Sequence, residues 1–192
     1  MEEYTITAEK SCCQELEMIA RGKHCEIILY IVEHKLKNEA ETALIKRGNH
    51  AEILVYIARE YPLCEEAEVA LIERGNHKEI KTYLDWYSLK DKSQVALVKR
   101  GNHSEIMKCV KSEMFCEEAE VALIKHGNHK QIMAYIAGNA FWEKAEILFV
   151  KRGNHEELMA YLKNYTLLFD KSAVVLEKRG IPEEIKVYKG ES

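Results

Sequence analysis

Proline is nearly absent from this chain, which has two prolines and nine glycines among 192 residues. Strands, tight turns and flexible linkers rely on these residues, so their scarcity favours helix. Long apolar runs are absent too. The longest, residues 27–32, is far shorter than the ~20 residues that a membrane-spanning helix needs. We therefore expect a helical protein without a transmembrane segment.

The chain also lacks a strong net charge, paired cysteine motifs and a secretory leader. A formal charge of -4 gives no overall attraction to nucleic acid or anionic membranes, so any such binding requires a local patch. The acidic start, Met1 to Tyr4, is not followed by an apolar stretch, which indicates a cytoplasmic protein. The six cysteines show no C-x-x-C spacing and are expected to be reduced thiols.

What the chain does have is an internal repeat. One glycine recurs at spacings of 26 or 27 residues, at Gly22, Gly48, Gly75, Gly101, Gly127, Gly153 and Gly180. Such self-similarity is typical of a stacked array. Helical segments precede and follow each glycine, and we call them helix A and helix B of one copy.

The turn between helix A and helix B carries its own signals. The glycine is predicted to close helix A in the left-handed conformation. Asn is predicted to cap helix B, with Glu or Gln three residues later completing a variant of the capping box. In this chain the caps are Asn49, Asn76, Asn102, Asn128 and Asn154. Helix A is expected to begin at an Asn, Asp or Glu that suits the helix dipole and to end, in most copies, at an Arg.

Stacking of the copies is predicted from equivalent positions that hold a small or an apolar residue in successive copies. We call each set of equivalent positions a column. Small residues recur in helix A (Ala40, Ala67, Ser93, Ala119, Ala145, Ser172), which lets neighbouring helices approach closely. An apolar residue stands twelve before each glycine from Gly48 onward (Leu36, Leu63, Leu89, Phe115, Phe141, Leu168) and is expected to make a staple-like contact. Residues 1–192 are thus predicted to form one domain, with regular repeats over 36–167. The segments 1–35 and 168–192, whose columns are more polar, are predicted to be capping repeats.

In its architecture of short, stacked helical hairpins, the chain resembles the class of α-solenoids that includes HEAT, armadillo and leucine-rich-variant repeats. The resemblance covers the chain from about residue 8. It implies an all-α, right-handed solenoid of about six to seven repeats of 26–27 residues. Proteins of this class mostly bind other proteins, and a few bind nucleic acid. No functional residue carries over from the resemblance.

The histidine of each turn (His24, His50, His77, His103, His129, His155) invites a metal or ligand hypothesis. Successive copies should be offset by roughly 10 Å, about one helix diameter. Zinc ligands, by contrast, each lie only ~2.0–2.1 Å from the metal. We therefore interpret the histidines as packing on the previous copy and predict no metal site and no cofactor. Ligand contact remains an alternative.

Two surfaces are candidates for binding. Met107, Met133 and Met159 share one helix B position, where they either pack between copies in the ordinary way or offer an adaptable surface to a partner. Trp86, Tyr87 and Trp142 depart from the repeat pattern, and together with the methionines they are the residues predicted to contact a protein or peptide. Alternatively, Arg47, Arg74, Arg100 and Arg152 form an edge near helix N-termini that could bind nucleic acid or another polyanion. No catalytic constellation stands out. The sequence favours a non-catalytic scaffold for protein or peptide binding.

Overall fold

A computed structural model describes residues 10–59 and 61–191. The start of the chain, on which the expectation about a leader rests, lies outside them. Within the described residues the protein has fourteen α-helices and no β-strand. They are α1 (Cys12–Arg21), α2 (His24–Glu33), α3 (Asn38–Arg47), α4 (His50–Ile57), α5 (Glu65–Arg74), α6 (His77–Trp86), α7 (Asp91–Arg100), α8 (His103–Ser112), α9 (Glu117–His126), α10 (His129–Ile136), α11 (Glu143–Arg152), α12 (His155–Asn164), α13 (Asp170–Arg179) and α14 (Pro182–Tyr188). The all-α prediction is confirmed.

Most helix boundaries lie where the local signals place them. The odd-numbered helices from α3 onward begin at the predicted Asn, Asp or Glu, and most end at the Arg before the glycine. Each predicted asparagine precedes a helix B, and its side chain accepts hydrogen bonds from backbone N–H groups of the first turn. Local capping chemistry therefore explains the bounds of both helix types.

The glycine prediction is right in four turns and wrong in three. Gly48, Gly101, Gly153 and Gly180 adopt positive φ, whereas Gly22, Gly75 and Gly127 are extended. The partner of the side chain at the capping-box position differs between the two geometries. After Gly75, Glu79 accepts the backbone N–H of Asn76 at 2.8 Å. After Gly48, Oε2 of Glu52 instead lies 3.5 Å from Nε of Arg47.

The chain forms two compact units whose boundary, between Ala96 and Leu97, falls inside α7. In the first unit α1, α3 and α5 pack one after another, and so do α2, α4 and α6. In the second unit α9, α11 and α13 form one such row, and α8, α10, α12 and α14 form the other. In each unit, neighbouring-helix packing is consistent with a helical repeat.

The predicted stacking columns are buried. The small helix A residues have no exposed surface, and the apolar residue twelve before each glycine is buried as well. The expected staple-like contact, between Leu36 and an apolar fourth residue of α3, is not formed, because that fourth residue is Glu41. Leu36 is instead held through its backbone N–H, which donates to the hydroxyl of Tyr56 at 3.2 Å. Over the described residues, no helix is long and apolar enough to cross a membrane.

Candidate functional site

A buried carboxylate joins helix A, helix B and the following copy, and sequence reasoning missed it. In the second copy the Tyr56 hydroxyl donates to Oε1 of Glu41 at 2.8 Å. The backbone N–H of Cys64, at the start of the next helix A, donates to Oε2 of Glu41 at 2.5 Å. We call this arrangement the carboxylate tie. It recurs at Glu15 with Tyr30 and Lys37, Glu68 with Tyr83 and Lys90, Glu120 with Tyr135 and Trp142, and Glu146 with Tyr161 and Phe169.

The carboxylate ties have a structural function rather than a catalytic one. The tie glutamates and tyrosines are almost completely buried, and both carboxylate oxygens accept hydrogen bonds. Burial strongly raises the pKa of Tyr56, Tyr83, Tyr135 and Tyr161, so their hydroxyls stay protonated donors. Burial also raises the pKa of Glu120 to about 7, against the opposing effect of the hydrogen bonds from Tyr135 and Trp142. Because these groups are enclosed and already paired, they offer no site for a substrate.

One copy replaces both side chains of the tie. Gln94 stands in the glutamate column and Cys109 in the tyrosine column. The Gln94 amide donates to the carbonyl of Leu89 at 3.2 Å. Cys109 is buried, and burial raises the pKa of its thiol to about 12, so it is not a reactive nucleophile.

The turn histidines reach the following copy, so the prediction that they pack on the previous copy is wrong. Nδ1 of His50 lies 2.7 Å from Oε1 of Glu79, and Nδ1 of His24 lies 2.9 Å from Oε1 of Glu52. The same contact joins His129 to Glu157 and His155 to Glu184 at 2.9 Å. The physical reason is that the first turn of helix B carries an acceptor for the preceding histidine, the capping-box glutamate. We call this pairing the histidine contact.

The histidines and cysteines of the described residues do not gather into a metal-binding cluster. Among the described residues, no three His, Cys, Asp or Glu side chains converge as a metal site would require. All six cysteines are free thiols. Sγ of Cys12 lies 3.5 Å from Oε2 of Glu39. Burial, and after it this glutamate, raises the pKa of the Cys12 thiol. A raised pKa disfavours the thiolate that metal binding and nucleophilic chemistry use.

The arginines of the predicted polyanion edge make contacts within the fold. Nη1 of Arg47 donates to the carbonyl of Ile19 and Nη2 to that of Gly22, which caps the preceding helix A. Arg74 reaches the carbonyl of Lys46 at 3.5 Å, and Nε of Arg100 lies 3.8 Å from Oε2 of the buried Glu105. Arg152 is exposed. These contacts explain the basic column without a ligand, and polyanion binding stays a prediction.

The predicted methionine row lies on neighbouring helices of the second unit. Met107, Met133 and Met159 belong to α8, α10 and α12, and α10 packs against the other two. Each methionine is half-buried. Part of each methionine is therefore accessible to a partner, and the flexible thioether side chain can adapt to an irregular surface.

The loop aromatics lie at helix ends, and each is described within its own unit. Trp86 and Tyr87 lie at the end of α6 in the first unit, where Trp86 is exposed and the Tyr87 ring packs 4.9 Å from that of Tyr83. Trp142 belongs to the second unit, at the N-cap of α11, and is exposed. Of these aromatics only Trp142 belongs to the same unit as the methionines, and it precedes a helix A rather than lying on a helix B.

The structure shows two exposed apolar surfaces that the sequence did not reveal. One is on α2, where Leu29 and Val32 are exposed. Helix α2 packs against α4, on which Leu54 and Val55 are half-buried. The other lies in the loops of the second unit, where Met114, Leu167 and Phe169 are exposed as well as Trp142. Comparing equivalent loop columns between copies would have revealed the second surface, and a helix apolar on all sides could have indicated the first.

Comparison with known proteins adds no family: no family model, curated protein sequence or solved structure matches the chain. The class that the fold itself defines is that of an all-helical protein whose packing is consistent with helical repeats.

Proposed function

We propose that this protein is a non-catalytic helical-repeat scaffold that binds a protein or peptide. One contrast carries the proposal. The groups that join the copies are nearly constant, as the recurring carboxylate ties and histidine contacts illustrate. The exposed positions change from copy to copy, so that Trp142 takes the place of Lys90 and Lys37 in the loop before helix A. A constant frame with a varied surface suits recognition of a partner.

The contact residues in this proposal are the methionine row and, as separate contacts, the exposed tryptophans. Met side chains adapt to irregular apolar partners, and exposed Trp is enriched among residues that dominate binding energy. The polar groups that would support catalysis are instead enclosed in the carboxylate ties, as Glu68 and Tyr83 are.

The proposed architecture goes further than the packing within each unit. We propose a right-handed α-solenoid of about six to seven repeats, with capping repeats at residues 1–35 and 168–192. The copy around Gly180 supports this, because Ala173 and Pro182 replace the glutamate and histidine that elsewhere reach a following copy. An experimentally determined structure would test the hand and the count.

Quantitative affinity capture from the native cytoplasm tests the binding proposal. A Met107→Glu, Met133→Glu, Met159→Glu triple variant should lose at least one protein that the wild type enriches, because three carboxylates would interrupt the row. The matched control is Lys125→Gln, Lys151→Gln, Lys178→Gln. It changes the net charge by the same amount at exposed helix A positions of the same unit and should retain the partner.

A Trp86→Ala, Trp142→Ala variant tests the exposed aromatics in the same way. If the proteins captured by the wild type, the methionine variant and the tryptophan variant are the same, the proposed binding surface is wrong. If the wild type enriches no protein over an empty matrix, the scaffold proposal itself is wrong.

A further inference from the structure

In the second unit, the loops that lead into α9, α11 and α13 carry apolar residues in both of two equivalent columns. We call these six residues, Met114, Cys116, Ala140, Trp142, Leu167 and Phe169, the apolar loop edge. Four of them expose large side chains: Met114 is 58% exposed, Trp142 48%, Leu167 88% and Phe169 44%. Single exposed apolar residues are ordinary, but a row of them at equivalent positions indicates a contact surface.

The first unit shows that the repeat does not require apolar residues there. Its equivalent columns hold Lys35, Lys37 and Lys90 beside Pro62, Cys64 and Ser88. The loop is held in place by backbone N–H groups, since those of Lys90 and Trp142 both donate to a tie glutamate. The apolar side chains of the second unit are therefore not needed for the fold of the loop.

The apolar loop edge is held rigidly enough to be preorganised for binding. Trp142 and Phe169 are the N-caps of α11 and α13, which pack against each other. Their backbone N–H groups donate to the buried Glu120 and Glu146 at 2.7 and 2.9 Å. Packed helices place equivalent residues roughly 8–10 Å apart. The backbone positions that carry the two rings are thus close enough for one short segment to contact both.

Charge next to the apolar loop edge indicates what the segment carries. Each of α9, α11 and α13 begins with an acidic residue immediately after the loop. Glu117 is paired with Lys144 at 2.6 Å, and Glu143 with Lys171 at 3.1 Å. Asp170, next to Phe169, is exposed. Its carboxylate is therefore accessible to a cation carried by a partner.

We propose that the apolar loop edge, with Asp170 at its end, binds a segment of a partner protein that carries Lys or Arg next to two or more large apolar side chains. This proposal rests on the scaffold function proposed above and names the surface and the partner chemistry. The apolar side chains pack over Trp142, Leu167 and Phe169, and the cation pairs with Asp170. The exposed carboxylate of Asp170 disfavours phosphate groups of nucleic acid or lipid at this end of the edge.

A second copy of this chain fits the edge less well than such a segment. The lysines of the equivalent loops are already engaged, since Nζ of Lys37 donates to the carbonyl of Lys10 at 2.7 Å and Nζ of Lys90 contacts the carbonyl of Leu63. Lys35 lies over the ring of Tyr61. Binding of a second copy would have to break these contacts.

The test begins with a random 12-residue phage-displayed peptide library selected on the wild-type protein. Enriched peptides should carry Lys or Arg within three positions of Leu, Phe, Trp or Met. Synthetic versions are then titrated against a Trp86→Phe variant, in which Trp142 is the only tryptophan and its fluorescence reports on the edge.

In this background, Leu167→Ser and Phe169→Ala should each raise the dissociation constant by about tenfold. Asp170→Lys should weaken binding similarly, and a peptide with its basic residue changed to Glu should regain affinity for that variant. The matched control is Leu29→Ala, an exposed apolar residue of the other unit, which should leave the affinity unchanged. Leu167 is so exposed that its replacement keeps the test valid even if Phe169→Ala perturbs folding.

Several outcomes would overturn the proposal. Enriched peptides without basic residues, or affinities unaffected by Leu167→Ser and Asp170→Lys, would exclude the edge. If binding is instead lost on changing Met107, Met133 and Met159, the scaffold function stands and only this surface is wrong. If no peptide is enriched, or if the protein only associates with itself as its concentration rises, the segment-binding proposal fails.

Discussion

At the scale of the residue, the carboxylate tie explains why a helix stacked between others keeps a glutamate in a buried column. Glu41, Glu68 and Glu120 are almost inaccessible to water. Burying a carboxylate is costly unless its oxygens are hydrogen-bonded. Here a tyrosine hydroxyl and a backbone N–H supply those bonds, and the N–H belongs to the next copy. The glutamate therefore gives specificity to the contact between copies as well as satisfying its own oxygens.

Removing one hydroxyl tests the tie. Tyr135→Phe should lower the free energy of unfolding by about 1–3 kcal/mol, because Glu120 and the N–H of Phe115 each lose a buried partner. Urea denaturation at neutral pH measures the change. The control is Tyr165→Phe, a half-buried tyrosine of the same unit, for which we expect a much smaller effect. Equal losses in the two variants would contradict the role of the tie.

The pH dependence of stability tests the buried acid at residue 120. Burial raises the pKa of Glu120 from 4.5 to about 7 in the folded state, so folding favours the protonated form. Its contribution is therefore fully present below about pH 4.5 and is lost as pH rises through 7. The total change is up to about 3 kcal/mol.

Glu120→Gln should remove this contribution and make stability less dependent on pH between 5 and 8. Gln94 already occupies the same column in another copy, which indicates that an amide fits there. Urea midpoints at several pH values provide the measurement, with the exposed Glu118→Gln as control. A wild type whose midpoint does not fall from pH 5 to pH 8 relative to Glu120→Gln would refute the assignment.

The glutamate and tyrosine columns were visible in the sequence, but their pairing was not. Glu41 and Tyr56 are 15 residues apart and lie on different helices, on either side of a turn. Periodicity identifies the faces of one helix and does not show which polar group on one face meets which group on another. The histidines were assigned to the wrong neighbour for the same reason.

At the scale of the element, the glycine turns have two geometries that one consensus conceals. The helices on both sides begin and end at the same positions, yet the glycine is extended after α5 and left-handed after α7. The conformation of the glycine varies together with the partner of the capping-box glutamate. Glu79 bonds the backbone of Asn76, whereas Glu105 contacts the Arg100 side chain.

Substitution of two glycines separates these geometries. At Gly75 a Cβ would lie 2.5 Å from the backbone carbonyl oxygen of Leu71, so Gly75→Ala must move the helix end. At Gly101 a Cβ meets nothing within 4 Å, and only the positive φ of 79° opposes it, which costs roughly 1–2 kcal/mol.

We therefore expect Gly75→Ala to destabilise more than Gly101→Ala. Gly101→Asn should be milder than Gly101→Ala, because Asn tolerates the left-handed region. At Gly75, by contrast, Asn should offer no relief over Ala. Thermal unfolding of the four variants measures these differences, and the same ranking of Ala and Asn at both positions would count against two turn geometries.

At the scale of the whole molecule, the contacts between copies have a direction. Within each unit the tie glutamate and the turn histidine reach forward along the chain. The arginine before the glycine reaches back in several copies, as Arg47 and Arg179 do to the carbonyls of Gly22 and Gly153. The copy around Gly180 keeps the backward contact through Arg179. It has Ala173 where the forward glutamate would stand.

This asymmetry makes a prediction about paired substitutions. Glu146→Ala should cost roughly 2–3 kcal/mol, because the Tyr161 hydroxyl and the N–H of Phe169 would both lose their acceptor. Ala173→Glu should change stability by no more than about 0.5 kcal/mol, since residues 174–191 place no following helix A beside it. Chemical denaturation of both variants provides the test. A large stabilisation by Ala173→Glu would contradict the direction that we assign to the contacts between copies.

The spacing of the glycines, the asparagine caps and the acidic first residues were enough to establish the helices and their order. These features depend on hydrogen bonds between residues a few positions apart, so their signals lie side by side in the chain. Only the packed structure revealed the partners of Glu41 and His50, the extended turn at Gly75 and the exposure of Leu167 and Phe169. Those properties depend on which surfaces face each other after stacking, and they join groups some 15 to 29 residues apart.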